Sequence, residues 1–113
     1  MMRKTKLPAL VWCYVTAKDR RQAEMLAERL VDERLAACAN VLGRVKSVYR
    51  WKGRIEQASE VALVFKTRRA LVKRLAARVK DLHTYDCPCV VALPIVGGFP
   101  PYLAWLADET ARG

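Results

Sequence analysis

Apolar residues recur along this chain with two periods, and each switch between them marks an element. Leu10 to Val15 is dense in apolar and aromatic side chains and predicts a first strand. Asp19 is placed to cap a helix, with Gln22 in the reciprocal position; Ala23, Leu26, Ala27, Leu30 and Val31 then recur at helical spacing to about Arg34. Val41 to Trp51 and Ile55 to Phe65 read as the arms of a hairpin. Lys52-Gly53 supplies its turn, since glycine takes the positive φ that turns matching strand twist require. Thr67 is the predicted cap of a second helix, whose stripe is Leu71, Val72, Leu75, Ala76, Val79 and Leu82, with Lys73, Arg74, Arg78 and Lys80 outward. Cys89 to Val96 predicts a fourth strand, Gly97 to Pro101 breaks it, and Tyr102 to Thr110 makes a last helix with Pro101 near its first turn.

That order predicts an α+β fold, a ferredoxin-like βαββαβ sandwich with a long hairpin between the second and third strands and an added C-terminal helix. Right-handed crossovers put both long helices on one face of the sheet. Val61 to Phe65 and Val90 to Ile95 are nevertheless apolar on both faces, as strands buried on both sides are. Each Val, Leu or Phe left in water forgoes about 1.5–3 kcal/mol of burial, so the pattern predicts an oligomer.

The 113 residues, 53% of them hydrophobic, are enough for one core, and the chain reads as a single domain, 1–113, with a basic tail over 1–8. The longest apolar runs, Leu7 to Ala17 and Val90 to Pro101, are interrupted by proline and fall short of the roughly 18 residues of a membrane helix, so no membrane partner is expected. Met1 to Lys6 followed by Leu7 to Val15 imitates a secretory leader, but Pro8, Cys13, Tyr14 and the helix cap beyond favour a buried strand. The expected location is cytoplasmic, with four reduced cysteines.

Glu33-Arg34-Leu35-Ala36-Ala37-Cys38-Ala39-Asn40-Val41, Ser47-x-Tyr49-x-Trp51-x-Gly53-x-Ile55-Glu56, Glu60, Lys66-Thr67, His83-x-Tyr85-x-x-Pro88 and Tyr102-Leu103-x-Trp105 follow one another in a set order. Together they resemble the CutA divalent-cation tolerance family, collinearly over residues 9 to 107. The resemblance implies a ferredoxin-like subunit in a tight homotrimer, hairpins reaching across to neighbours, and an association with copper and other divalent metals. The chain departs from the family at Cys89, where a carboxylate is common, and at Val15, where the family's cysteine would fall, the nearest thiol being Cys13.

Thiolate and imidazole suit copper and zinc, so Cys38, His83, Cys87 and Cys89 are the candidate metal ligands, the last two spaced to point the same way on an extended segment. A free cysteine also serves as a small buried hydrophobe, Cys13 above all, and a histidine ending a helix complements its dipole. No Cys-x-x-Cys pair marks a closed zinc site. Tyr49, Trp51, Glu60, Lys66, Tyr85, Tyr102 and Trp105 are assigned to an inter-subunit cleft. The expected function is weak binding of copper or another divalent cation by a non-enzymatic homotrimer. The alternative is a PII-like signalling or scaffold trimer, with a small anion or a protein partner near Lys66, Glu60, Tyr85 and Trp51.

Net charge is +10, and Arg50, Lys52 and Arg54 lie beside Tyr49 and Trp51 in a mixture that single-stranded nucleic-acid binders use. Basic residues spread over every element fit a solvated surface better, so no nucleic-acid partner is expected. No nucleophile elbow, carboxylate pair or phosphate-cradling glycine motif is present, and no enzyme is expected.

Overall fold

A computed structural model describes residues 7–112. Residues 1–6 of the expected basic tail lie outside them. The elements run β1 (Leu10–Ala17), α1 (Arg20–Asp32), β2 (Cys38–Trp51), β3 (Arg54–Arg68), a 3-10 turn (Arg69–Leu71), α2 (Val72–Leu82), β4 (Val90–Pro94) and α3 (Pro100–Asp108). They form one antiparallel sheet in the order β2-β3-β1-β4. This is the ferredoxin-like α+β order the periodicities predict.

Alternation along the central strands builds the core. Val11, Cys13, Val15 and Ala17 of β1 and Val61, Leu63 and Phe65 of β3 meet Leu26 and Leu30 of α1 and Leu75 and Val79 of α2. Burial pushes the Cys13 thiol up to about 11, so it stays protonated and packs as a hydrophobe. Asp19 caps α1 as expected, its Oδ1 accepting from Gln22 N at 2.8 Å, while Gln22 Oε1 accepts from Lys18 N at 2.8 Å.

Helix α1 stops short of the expected Arg34 because that residue turns left-handed at φ 61°. Arg34 N then donates to Val31 O and Leu35 N to Leu30 O, satisfying the helix's last carbonyls while Leu30 and Leu35 stay buried together. Thr67 corrects a second expectation. It caps no helix; it lies inside β3, opposite Val11, and its buried hydroxyl donates to Leu35 O at 2.7 Å. α2 instead starts through the 3-10 turn without a side-chain cap. Strand β2 begins earlier than the expected Val41, because Cys38 already pairs with Lys66. β4 is shorter than the expected Cys89 to Val96, since its ladder with β1 runs only from Val90 to Pro94.

Between Val41 and Gly43 the ladder slips, leaving Leu42 as an extra residue, with Gly43 at φ 121°. β1 ends at Ala17, opposite Val61, so beyond that pair Val45 to Glu60 project as a two-stranded arm, and the subunit measures 61 × 24 × 22 Å. At the tip Lys52 and Gly53 both have positive φ, 51° and 79°, a type I′ pattern. Lys52→Asn relieves the left-handed cost of about 1 kcal/mol but loses the Lys52 ammonium 6.0 Å over the Trp51 ring, worth about 0.5 kcal/mol. The expected net gain slows amide exchange across the arm about twofold.

α3 packs on the face away from α1 and α2, where Leu106 and Ala107 close over Leu10. Arg68 anchors it, Nη2 donating to Ala107 O at 2.7 Å and Nε to Thr110 Oγ1 at 2.9 Å. The rest of that face stays open: Trp12, Val91 and Leu93 are 39%, 53% and 45% exposed. Val61 to Phe65 are buried on both faces within the subunit, whereas β4, at the sheet edge, is not.

Candidate functional site

The segment from His83 to Cys89 crosses the mouth between the helix layer and the base of the arm, and polar side chains stitch it down. His83 ends α2 and is 8% exposed. Its Nδ1 accepts from Tyr85 N at 3.1 Å, so Nε2 carries the proton and donates to Thr16 O at 2.9 Å. Both ring nitrogens are thereby engaged, and a metal reaches either only by displacing one of these bonds. Gln22 Nε2 adds a bond to Thr84 Oγ1 at 3.1 Å.

Tyr85 then reaches the arm. Its hydroxyl donates to Glu60 Oε2 at 3.0 Å, and Ser47 donates to Glu60 Oε1 at 2.6 Å. Glu60 is only 8% exposed and has no cationic partner among the described residues. Burial first, and the Glu60 carboxylate second, push the Tyr85 phenol up to about 12. Cys89 sits half-buried beside the Thr16 hydroxyl, its thiol raised by burial and then by the Glu60 charge, while Cys87 is exposed.

A phenol raised from its ordinary 10 to about 12 holds its proton in the folded chain over a range where the unfolded chain has lost it. The stabilisation is fully present below pH 10 and disappears as pH rises to 12, an expected loss of about 2 kcal/mol. Tyr85→Phe should flatten that part of the stability curve, measured by urea unfolding between those pH values.

The other assigned residues stand elsewhere. Cys38 opens β2 on the wall of a groove of about 800 Å³ between α1 and α3, with Ala27, Val31 and Trp105. Lys66, its cross-strand partner, donates to Tyr102 Oη at 3.4 Å, and Tyr102 packs on Trp105 at 5.4 Å. Glu60 and Lys66, six residues apart on β3, are about 20 Å apart. Tyr49 and Trp51 lie farther out, on the arm face that Glu60 shares. Within one subunit the cleft set therefore divides among the arm, the arm's base and the α3 end. Of the metal set, Cys87, Cys89 and His83 belong to one segment and Cys38 does not. Neither thiol of that segment lies in a strand: the chain bends at Cys87 and β4 begins only at Val90. Among the described residues no three His, Cys, Asp or Glu side chains gather into a metal-holding group. Thr16 had no sequence signal, because its role rests on its backbone carbonyl; Ser47 was visible only as a period-two neighbour of Tyr49.

The chain has close relatives. The family described as CutA1 divalent ion tolerance protein matches residues 11–109. A chloroplastic CutA protein of Arabidopsis thaliana is 43% identical over 104 residues, 92% of this chain and 57% of that protein. The divalent-cation tolerance protein CutA of Archaeoglobus fulgidus is 41% identical over 99 residues, covering 88% of this chain and 95% of that one. The chain thus spans little more than half of the plant relative and nearly all of the archaeal one. Among solved structures, CutA1 from Oryza sativa superimposes with a TM-score of 0.91 at 38% identity, covering 95% of this chain and 98% of that chain. The divalent cation tolerance protein of Thermus thermophilus gives 0.88 at 39% identity, covering 90% and 99%. A match that runs through β1, the arm, the His83 to Cys89 segment and α3 assigns the whole fold, and the chain belongs to the CutA1 divalent ion tolerance family.

Proposed function

We propose that the chain is a non-enzymatic homotrimer that binds copper or a related divalent cation at its inter-subunit cleft. The observation that carries this reading is Glu60, a buried carboxylate held by two neutral hydroxyls with no cation beside it, in a chain of a divalent ion tolerance family. Cys89 feels the Glu60 charge and Cys87 lies two residues before it, so the segment brings soft donors, which favour copper. One subunit does not gather three donors among the described residues, so the remaining ligands come from a neighbouring copy. Open apolar side chains at Trp12, Val91 and Leu93 support that assembly. Four free thiols fit a reducing compartment, and we place the protein in the cytoplasm, although relatives include a chloroplastic and a periplasmic protein by name.

Calorimetric titration of the reduced protein tests the reading, anaerobically for copper(I) and without reductant for copper(II). Replacing both Cys87 and Cys89 by serine should weaken copper(I) at least tenfold, and Cys38→Ser should change it less than twofold. Thiols bind as thiolates and burial raises that of Cys89, so affinity should rise with pH. Cys89→Glu should shift preference toward harder divalent ions. No heat with any divalent metal would sink the reading. The second reading, a PII-like trimer with a small anion, draws on Lys66, which has no carboxylate partner among the described residues. In that case phosphate should raise the melting temperature more than chloride at equal ionic strength.

A further inference from the structure

The arm sorts its charges by face. Cross-strand pairs share a face, so Val45 with Glu60, Ser47 with Ala58, Tyr49 with Glu56 and Trp51 with Arg54 lie on the side away from α1 and α2. Lys46 with Ser59, Val48 with Gln57 and Arg50 with Ile55 lie on the other side, in line with Arg44. Both carboxylates of the arm are on the first face, and the second carries Arg44, Lys46 and Arg50 with no acidic residue. None of these three cations is in an ion pair among the described residues, and Arg44 is held in place by a bond from Nη1 to Ser59 Oγ at 2.9 Å. Val48 and Ile55, each 59% exposed, break the stripe with an apolar step.

We propose that this face is a docking surface for an extended acidic peptide segment of a partner protein, with acidic residues at alternate positions and an apolar residue opposite Val48. Positions two apart on a strand recur every ~7 Å, and an extended peptide presents its own alternate side chains at the same interval. Acids at three of four alternate positions therefore meet Arg44, Lys46 and Arg50 in register, and the apolar one meets Val48. Single-stranded nucleic acid fits less well, because it needs stacking platforms among its cations and Tyr49 and Trp51 are on the opposite face. A second copy of the chain fits less well too, since facing stripes repel and the arm's acids, Glu56 and Glu60, are on the aromatic face. The proposal rests on one subunit's charge pattern and not on metal binding.

Fluorescence anisotropy with a dye-labelled peptide Glu-Thr-Glu-Thr-Val-Thr-Glu tests it, using the full chain at 50 mM salt. Expected is saturable binding that weakens at least fivefold by 200 mM salt, as charge pairing requires. The triple variant Arg44→Glu, Lys46→Glu, Arg50→Glu should lose at least tenfold. Arg69→Glu, Lys73→Glu, Arg74→Glu makes the same change in net charge on an exposed part of the helix layer and should lose less than twofold. All these side chains are exposed, so the fold should survive; if melting shows otherwise, Lys46→Gln alone should still lose about threefold. The proposal is overturned by equal losses in the two triple variants, or by equal binding of a peptide of the same composition with its acids in one block. Tighter binding of a twelve-residue oligothymidylate, or no anisotropy change up to about 200 µM protein, overturns it as well.

Discussion

Val64→Asp should unfold the subunit, whereas Leu93→Asp should leave it folded and take the assembly apart. Val64 lies on the sheet face away from α1 and α2 but is fully buried between β1 and β2. A carboxylate there is uncompensated inside a single chain and should cost at least about 4 kcal/mol, a large part of a small domain's stability. Leu93 is half exposed on edge strand β4, beside Trp12, so its charge is solvated in the lone subunit and buried only against a neighbour. In a threefold assembly the substitution acts at three contacts at once, each losing about 2 kcal/mol of burial before the charge is counted. Light scattering should read about three times the 12.8 kDa subunit mass for the unaltered protein and one subunit mass for Leu93→Asp. An unaltered protein at one subunit mass would sink the proposed assembly.

The second large effect is expected at His83. His83→Ala removes the bond to Thr16 O, strips Tyr85 N of its acceptor and leaves a void under the segment that leads to Cys89. These losses together should cost about 2–4 kcal/mol. The effect should also be legible at a distance. Tyr85 is held against Glu60 by the anchored segment, so its phenol should return from about 12 toward 10, followed by absorbance during alkaline titration. His83→Gln, which can still donate to Thr16 O, should recover part of both changes. A Tyr85 titration unchanged in His83→Ala would show that the segment is held without the imidazole.

Much of this fold was legible because the two hydrophobic periods are strong and the punctuation is clear. The α1 stripe apart from its last member, the exposed Val31, the Asp19 cap, the α2 stripe and the Lys52-Gly53 turn all stand where the pattern puts them. Thr67 misled because Ser and Thr before an apolar run read as caps, and only the tertiary partner, Leu35 O, reveals the buried strand position. The bulge at Leu42 was invisible for a related reason. Counting by two from Val41 puts Tyr49 and Trp51 on the helix side, whereas the extra residue puts them on the other. Gly43 was the one local hint. The division of the cleft residues could not be seen because it depends on how far apart residues of one strand lie, as Glu60 and Lys66 do. A linear sequence brings together residues that an extended backbone holds far apart.

The projecting arm has a consequence for how the protein ages and is counted in a cell. A two-stranded ribbon without a third strand is marginal in water, and Val45 to Glu60 have no third strand of their own chain. If neighbours supply the missing support, a newly made subunit carries a frayed, protease-sensitive arm until it meets its companions. Scarcity would then shorten the chain's lifetime and abundance would lengthen it, so that a halving of gene dose removes more than half of the assembled protein.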